Sequence, residues 1–148
     1  MSERTLIIIK PDGLQRRLVG EIIARFEKKG LKIAAAKLMQ ISPELAKKQY
    51  AVHKDKDFFD RVVKYISSGP VIVMVLEGRK VIEITRKMMG ATFGYDAEAG
   101  TIRGDFGTSQ TFNLIHGSDS PQSAEYEIGL YFKPDEILDY KMPDADWL

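Results

Sequence analysis

Apolar residues in this chain recur with two different spacings, and the spacing sorts them into strands and helices. Thr5-Leu-Ile-Ile-Ile-Lys10 is β-branched and almost continuously apolar, which fits a strand buried on both faces, and Val71 to Leu76 repeats the pattern. Leu31 to Ile41 reads as a third strand. Leu18, Ile22, Ile23 and Phe26 instead share one helical face, leaving Arg25, Lys28 and Lys29 in water, with Gly30 placed to end the helix. Ser42-Pro43-Glu44 combines a capping hydroxyl, a first-turn proline and an acid suited to the helix dipole, so a short helix starts there. Phe58, Phe59, Val62, Val63 and Ile66 form another helical stripe, closed by Ser67-Ser68-Gly69-Pro70. Val81, Ile84, Thr85 and Met88 mark a helix running to Gly90.

The remaining segments read as connections and a last βα unit. Pro11-Asp12-Gly13 supplies a turn after the first strand, through fixed φ, an Asp that bonds nearby backbone, and a permissive Gly. From Ala91 to Gly107 the apolar period is lost, and Gly94, Gly100, Gly104 and Gly107 predict a long loop, a class of segment that is commonly functional. Phe112 to His116 predicts a final strand, then a Gly117–Pro121 turn and a helix carrying Ala124, Ile128 and Tyr131 or Phe132. The tail from Pro134 to Leu148 wraps the surface. The order β-α-β-α-β-α-loop-β-α is close to the β-α-β-β-α-β plan, an α+β ferredoxin-like sandwich with an antiparallel four-stranded sheet and added helices.

Length and composition narrow the function classes. At 148 residues, the chain is expected to be one domain, 1–148. A compact chain of its mass exposes roughly 7,600 Å², burying about 69% of its unfolded surface, so a core forms without staples. Lys and Arg number 22 against 21 Asp and Glu, which gives no overall field for nucleic acid or an anionic membrane. The absence of cysteine removes disulfides, zinc–thiolate sites, iron–sulfur clusters and thiol nucleophiles. Neither a signal-peptide core nor a membrane-length apolar run is present, so a cytoplasmic chain is expected.

There are two histidines. His53 lies in a polar stretch and reads as a solvated surface residue. His116 ends an apolar strand beside Gly117-Ser118-Asp119, which sets an imidazole at the sheet edge near backbone donors, a hydroxyl and a carboxylate. A neutral imidazole has one N–H and one lone pair, so a carboxylate holding the N–H aims the other nitrogen at an electrophile. Glu125 and Glu127, on the following helix, are both candidates for that carboxylate. A histidine that merely closes a strand is the alternative. Lys10 is either a snorkelling edge residue or a phosphate-binding cation. Arg86 and Arg103 flank the irregular region; converging with Lys10 on His116, they would give three permanent cations around a nucleophile, as phosphoryl transfer requires. Phosphate-loop, glycine-loop kinase, Gly-x-Ser-x-Gly and His-Glu-x-x-His motifs are all missing.

The segments Ile9-Lys10-Pro11-Asp12-Gly13, Leu18-Val19-Gly20-Glu21-Ile22, Ser68-Gly69-Pro70-Val71, Gly100-Thr101-Ile102-Arg103-Gly104-Asp105-Phe106, Asn113-Leu114-Ile115-His116-Gly117-Ser118-Asp119 and Ser123-Ala124-Glu125-Tyr126-Glu127 resemble, in order, those of nucleoside diphosphate kinases. The resemblance runs from Thr5 to about Tyr140. It implies a ping-pong transfer of the γ-phosphoryl group of a nucleoside triphosphate to a nucleoside diphosphate, through a phosphohistidine on His116 and with Mg²⁺ on the phosphates. By the same resemblance Glu127 holds the second ring nitrogen and Ser118 supports Glu127. Lys10 and Asn113 reach the transferred phosphate and the sugar hydroxyl, and Tyr50 holds the lysine's surroundings. Arg86, Thr92 and Arg103 bind phosphates, and Phe58 stacks on the base, which implies broad base tolerance because every base has a π-face. The implied assembly is a homo-oligomer, a hexamer or alternatively a tetramer.

The chain departs from the family pattern in three places. Phe93-Gly94 replaces the expected Asn-Pro or Asp-Pro, removing a proline that stiffens a loop used in trimer contacts. Gln110 stands where valine is common and Phe112 where arginine is common, so base preference would shift accordingly. Two other classes fit weaker features. A nucleotide-sensing module would need Lys10, Arg86 and Arg103 but no nucleophile, and a nucleic-acid-binding domain would use pairs such as Arg16-Arg17 and Lys47-Lys48, whose simpler role is a solvated helix face.

Overall fold

The computed structural model describes residues 2–148. Its elements run β1 (Glu3–Ile9), α1 (Pro11–Gln15), α2 (Val19–Lys28), β2 (Lys32–Gln40), α3 (Pro43–Gln49), α4 (Phe59–Ile66), β3 (Pro70–Gly78), α5 (Val81–Met89), α6 (Ile102–Phe106), β4 (Ile115–Gly117) and α7 (Pro121–Tyr131). The strands form one antiparallel sheet in the order β2-β3-β1-β4. This is the split β-α-β arrangement predicted for an α+β ferredoxin-like fold, with α3 and α4 inserted where the simplest version has a hairpin.

Both faces of the sheet are covered, which explains the unbroken apolar runs of β1 and β3. Ile7 and Ile9 of β1 join Met74 and Leu76 of β3 in a core closed by Ile22 and Phe26 of α2 and Val81 and Ile82 of α5. Leu6, Ile8, Val71, Val73 and Val75 point the other way, into a core closed by Ala46, Val63, Ile66, Tyr131 and Phe132. Each fully buried Val, Leu, Ile, Phe or Met among them contributes about 1.5–3 kcal/mol, so the two cores hold β1 from both sides. Ser42 caps α3 through a hydrogen bond accepted from Leu45 N–H, as its sequence predicts.

Four expectations need correction. The Pro11–Gly13 turn is the first turn of α1, started by the proline. The Ala91–Gly107 segment is not a plain loop: it holds a 3₁₀ turn at Gly94–Asp96 and then α6, whose Thr101 side chain caps Gly104 N–H. Short capped helices of this kind carry too few residues to show an apolar period. The last strand is shorter than Phe112–His116, because Leu114 sits at φ 72°, in the left-handed region where an extended strand cannot continue. His53 is also half-buried instead of solvated, with its ring 5.5 Å from that of Phe58.

Candidate active site

The end of the β1–β4 ladder brings the candidate residues together. Ile8 pairs with His116, and opposed residues share a face, so His116 points to the side of the sheet covered by α3 and α7. One residue beyond β1, Lys10 N–H donates to Leu114 O at 2.8 Å, and its side chain Nζ donates to Asn113 Oδ1 at 2.7 Å. Lys10 and Asn113 are therefore held as a pair, with the ammonium 5.1 Å from the centre of the Tyr65 ring.

His116 Nε2 lies 2.9 Å from Glu127 Oε1, and the same oxygen accepts from Ser118 Oγ at 2.7 Å. Glu127 and Ser118 are buried. Of the two carboxylates read as candidates, α7 turns Glu127 inward and leaves Glu125 exposed. Among the described residues Nδ1 of His116 makes no hydrogen bond, so a proton held on Nε2 for the carboxylate leaves Nδ1 with the free lone pair. Tyr50 packs edge-on to the imidazole, with ring centres 6.2 Å apart. A second aromatic ring, that of Tyr65, lies beside Lys10.

The cations are attached to the same short segment. Arg103 is buried and donates to three backbone carbonyls, Asn113 O at 3.1 Å, Gly90 O at 3.1 Å and Ile115 O at 2.6 Å. Arg86, which is exposed, donates to Gly117 O at 3.1 Å. Two of the three expected permanent charges are thus arginines bound to the backbone on either side of His116. Lys10 differs: burial, with the Arg103 charge adding to it and Asp12 opposing, lowers its ammonium to about 7. The two arginines thus supply the charges held most firmly, with Lys10 shifted toward neutrality by its burial. Arg103 is itself lowered to about 10 by burial and by Arg86.

Beside this segment lies a cleft of about 220 Å³ lined by Lys10, Phe58, Thr92, Phe93, Gln110 and Asn113 among others. Phe58 faces it while Phe59 packs into the core beneath α4. Phe93 stacks on Tyr95 with ring centres 5.6 Å apart, and Gly94 packs so close to Gly107 that a Cβ there would collide with its backbone. Aromatic stacking and a glycine contact therefore order this loop, which lacks the proline expected there. Thr92 is exposed at the rim, where its carbonyl accepts weakly from Asn113 Nδ2 at 3.4 Å. A wider hollow of about 650 Å³ near Lys80, Arg86 and Asp119 has no aromatic wall and includes neither Lys10 nor Asn113. The first cleft is the better nucleotide site on chemistry, despite its smaller volume.

Sequence reading missed a second tier of residues. Asp12 accepts from Tyr65 Oη at 2.5 Å and from Leu114 N–H at 3.1 Å, while Tyr65 Oη accepts from the N–H groups of Asn113 and Leu114 at 3.2 and 3.3 Å. This network fixes the backbone from which Asn113 and His116 project. Its trace was present in the spacing Phe58, Val62, Tyr65, a second stripe along α4 that faces the cleft. Gln49, whose amide nitrogen is 3.2 Å from His116 Nε2, left no comparable trace. Among the described residues, no group of three or more His, Cys, Asp or Glu side chains could hold a metal ion, and no helix is long and apolar enough to cross a membrane.

Residues 3–137 match the family model described as nucleoside diphosphate kinase. The nucleoside diphosphate kinase of Pyrococcus furiosus is 57% identical, with 98% of this chain and 91% of that protein covered. That of Archaeoglobus fulgidus is 53% identical, with 99% and 97% covered. Among solved structures, a halophilic nucleoside diphosphate kinase from Halobacterium salinarum in complex with CDP superposes with a TM-score of 0.97 at 48% identity, covering 99% of this chain and 98% of that one. A transition state mimic of the Borrelia burgdorferi enzyme with bound vanadate and ADP gives 0.91 at 40% identity, covering 97% and 94%. With the match spanning nearly all of the chain at this level of identity, the protein belongs to the nucleoside diphosphate kinase family.

Proposed function

We propose that this chain transfers the γ-phosphoryl group of a nucleoside triphosphate to a nucleoside diphosphate in two steps, through a phosphohistidine at Nδ1 of His116. The observation that carries the reading is an imidazole whose Nε2 faces a buried carboxylate while Nδ1 makes no hydrogen bond among the described residues. In the first step the Nδ1 lone pair forms the N–P bond as the bond from phosphorus to the β-phosphate oxygen breaks, and the diphosphate leaves with that electron pair. In the second, a terminal oxygen of another diphosphate attacks and the N–P bond breaks, returning the pair to Nδ1. Donor and acceptor use one pocket in turn, which gives ping-pong kinetics.

Glu127 keeps the proton on Nε2, and Ser118 holds Glu127. Lys10 and Asn113 meet the transferred phosphoryl group and the sugar hydroxyl. Arg86, Arg103 and Thr92 receive the remaining phosphates, Tyr50 braces the imidazole, and Phe58 stacks on the base. Mg²⁺ arrives as part of the nucleotide substrate and shields its phosphate charge. The whole chain, 1–148, acts as one domain, in the cytoplasm and as a homo-oligomer, with a hexamer favoured over a tetramer. Exposed Leu38, Trp147 and Leu148 support assembly, as does a surface of 8777 Å² against the roughly 7,600 Å² of a compact chain of this mass.

The test is incubation with γ-labelled ATP and Mg²⁺. An acid-labile, base-stable label that passes to added GDP, disappears in His116→Ala and forms more slowly in Glu127→Ala is the expected result. Nucleotide binding with no label on the wild type would move the protein to a sensing role.

A further inference from the structure

His116 Nε2 has two polar neighbours, Glu127 Oε1 at 2.9 Å and the Gln49 amide nitrogen at 3.2 Å, and one imidazole nitrogen cannot satisfy both as they stand. With a hydrogen, Nε2 donates to Glu127 and meets the Gln49 N–H group donor to donor. Without one, it accepts from Gln49 and turns its lone pair on a carboxylate. The carboxylate decides between them. Glu127 is buried, already accepts from Ser118, and gains a charge-assisted bond only from a protonated Nε2. Nε2 therefore carries the hydrogen, and the amide is the group that must adjust.

Gln49 has reason to turn. It is 5% exposed, and its Oε1 is buried without a hydrogen-bond partner, so its desolvation is uncompensated. Rotation of the amide by half a turn exchanges nitrogen and oxygen with almost no change of shape. Oε1 then faces the Nε2 hydrogen and gains the partner it lacks.

We propose that Gln49 is a positioning residue for phosphoryl transfer: its side-chain carbonyl shares the Nε2–H of His116 with Glu127 and holds the ring in the tautomer whose lone pair lies on Nδ1. The inference rests on His116 being the nucleophile. One acceptor fixes a proton but lets the ring pivot about the N–H bond; an acceptor from α3 and another from α7 fix the ring plane as well. A neutral amide does this without placing a second negative charge beside Glu127. The N–H is retained while Nδ1 carries phosphorus, so the clamp serves both halves of the reaction.

The experiment uses full-length protein with ¹⁵N-labelled histidine. With two histidines in the chain, His53→Gln assigns the spectrum. The wild type is expected to show one His116 tautomer, protonated at Nε2. Gln49→Met, similar in length but without the carbonyl, is expected to mix the tautomers and lower kcat by about tenfold, the loss of one neutral hydrogen bond, while changing KM by less than about twofold. Gln49→Leu, which also lacks the carbonyl and adds no charge beside Glu127, is expected to mix the tautomers in the same way. The proposal is overturned by a wild-type ring protonated at Nδ1, or by Met and Leu variants with unchanged spectra and kcat. If the Met variant fails to fold, the wild-type and Leu spectra still decide. Absence of label on His116 would instead reject the nucleophile and leave the tautomer result readable by itself.

Discussion

Burial, reinforced by the neighbouring Arg103, holds the Lys10 ammonium at about 7 instead of its usual 10.5, with Asp12 only partly opposing. Because the folded value lies below the unfolded one, the unfolded chain binds the extra proton between about pH 7 and pH 10.5. The free protein therefore gains stability from this group as pH rises through that window, and the gain is lost as pH falls through about 7. A phosphate beside Nζ reverses the balance, since an anion favours the charged ammonium. Nucleotide binding at pH 8 is then expected to take up a fraction of a proton. Calorimetry in buffers of different ionisation enthalpy measures it directly: the wild type should show a buffer-dependent binding enthalpy and Lys10→Met should not. A wild-type enthalpy independent of buffer would mean that Lys10 is already charged in the free site, or is not reached by phosphate.

At the scale of elements, the site depends on a junction between α1, α4 and the residues leading into β4. Asp12 comes from the first, Tyr65 from the second, and the N–H groups of Asn113 and Leu114 from the third. Leu114 needs this support because it sits at φ 72°, where a side chain is strained. Tyr65→Phe keeps the ring beside Lys10 but removes the hydroxyl that joins the three. A loss of about 1–3 kcal/mol in urea unfolding is expected, with a fall in phosphohistidine formation as Asn113 and His116 lose their fixed backbone. Unchanged stability would show that the network adds nothing beyond packing. The same junction explains what sequence reading could reach. β1, β3, α2 and α5 were legible because long apolar runs and stripes record burial directly. Phe112 to Leu114 looked like strand because apolar residues do not reveal a left-handed φ, and α1 and α6 are single turns set by a proline, a cap and contacts distant in sequence. Lys10, Asn113, His116 and Glu127 were legible as motif residues. Asp12, Tyr65 and Gln49 act through contacts across 53, 48 and 67 positions, which no local pattern encodes.

For the whole molecule, the open question is how the sheet ends. β2 is an edge strand, and unpaired edges recruit other strands unless they are covered or charged. The C-terminal tail covers only part of it: Leu138 N–H donates to Ala34 O, and Tyr140 Oη donates to Ile33 O. Further along, Leu38 is 65% exposed, while the adjacent Lys37 is turned away to bond Tyr131 O and does not guard the edge. An exposed leucine on a long edge strand is what a chain-to-chain contact would bury. Leu38→Glu is therefore expected to lower the mass measured by light scattering from a multiple of 16.7 kDa to a smaller assembly or the single chain. Phosphohistidine formation should survive, because Lys10, Asn113, His116, Ser118 and Glu127 are brought together within one chain. A variant of unchanged mass would place the assembly contacts elsewhere, and a wild type running at 16.7 kDa would reject the oligomer. Loss of the phosphohistidine together with loss of mass would mean that a neighbouring chain completes the site.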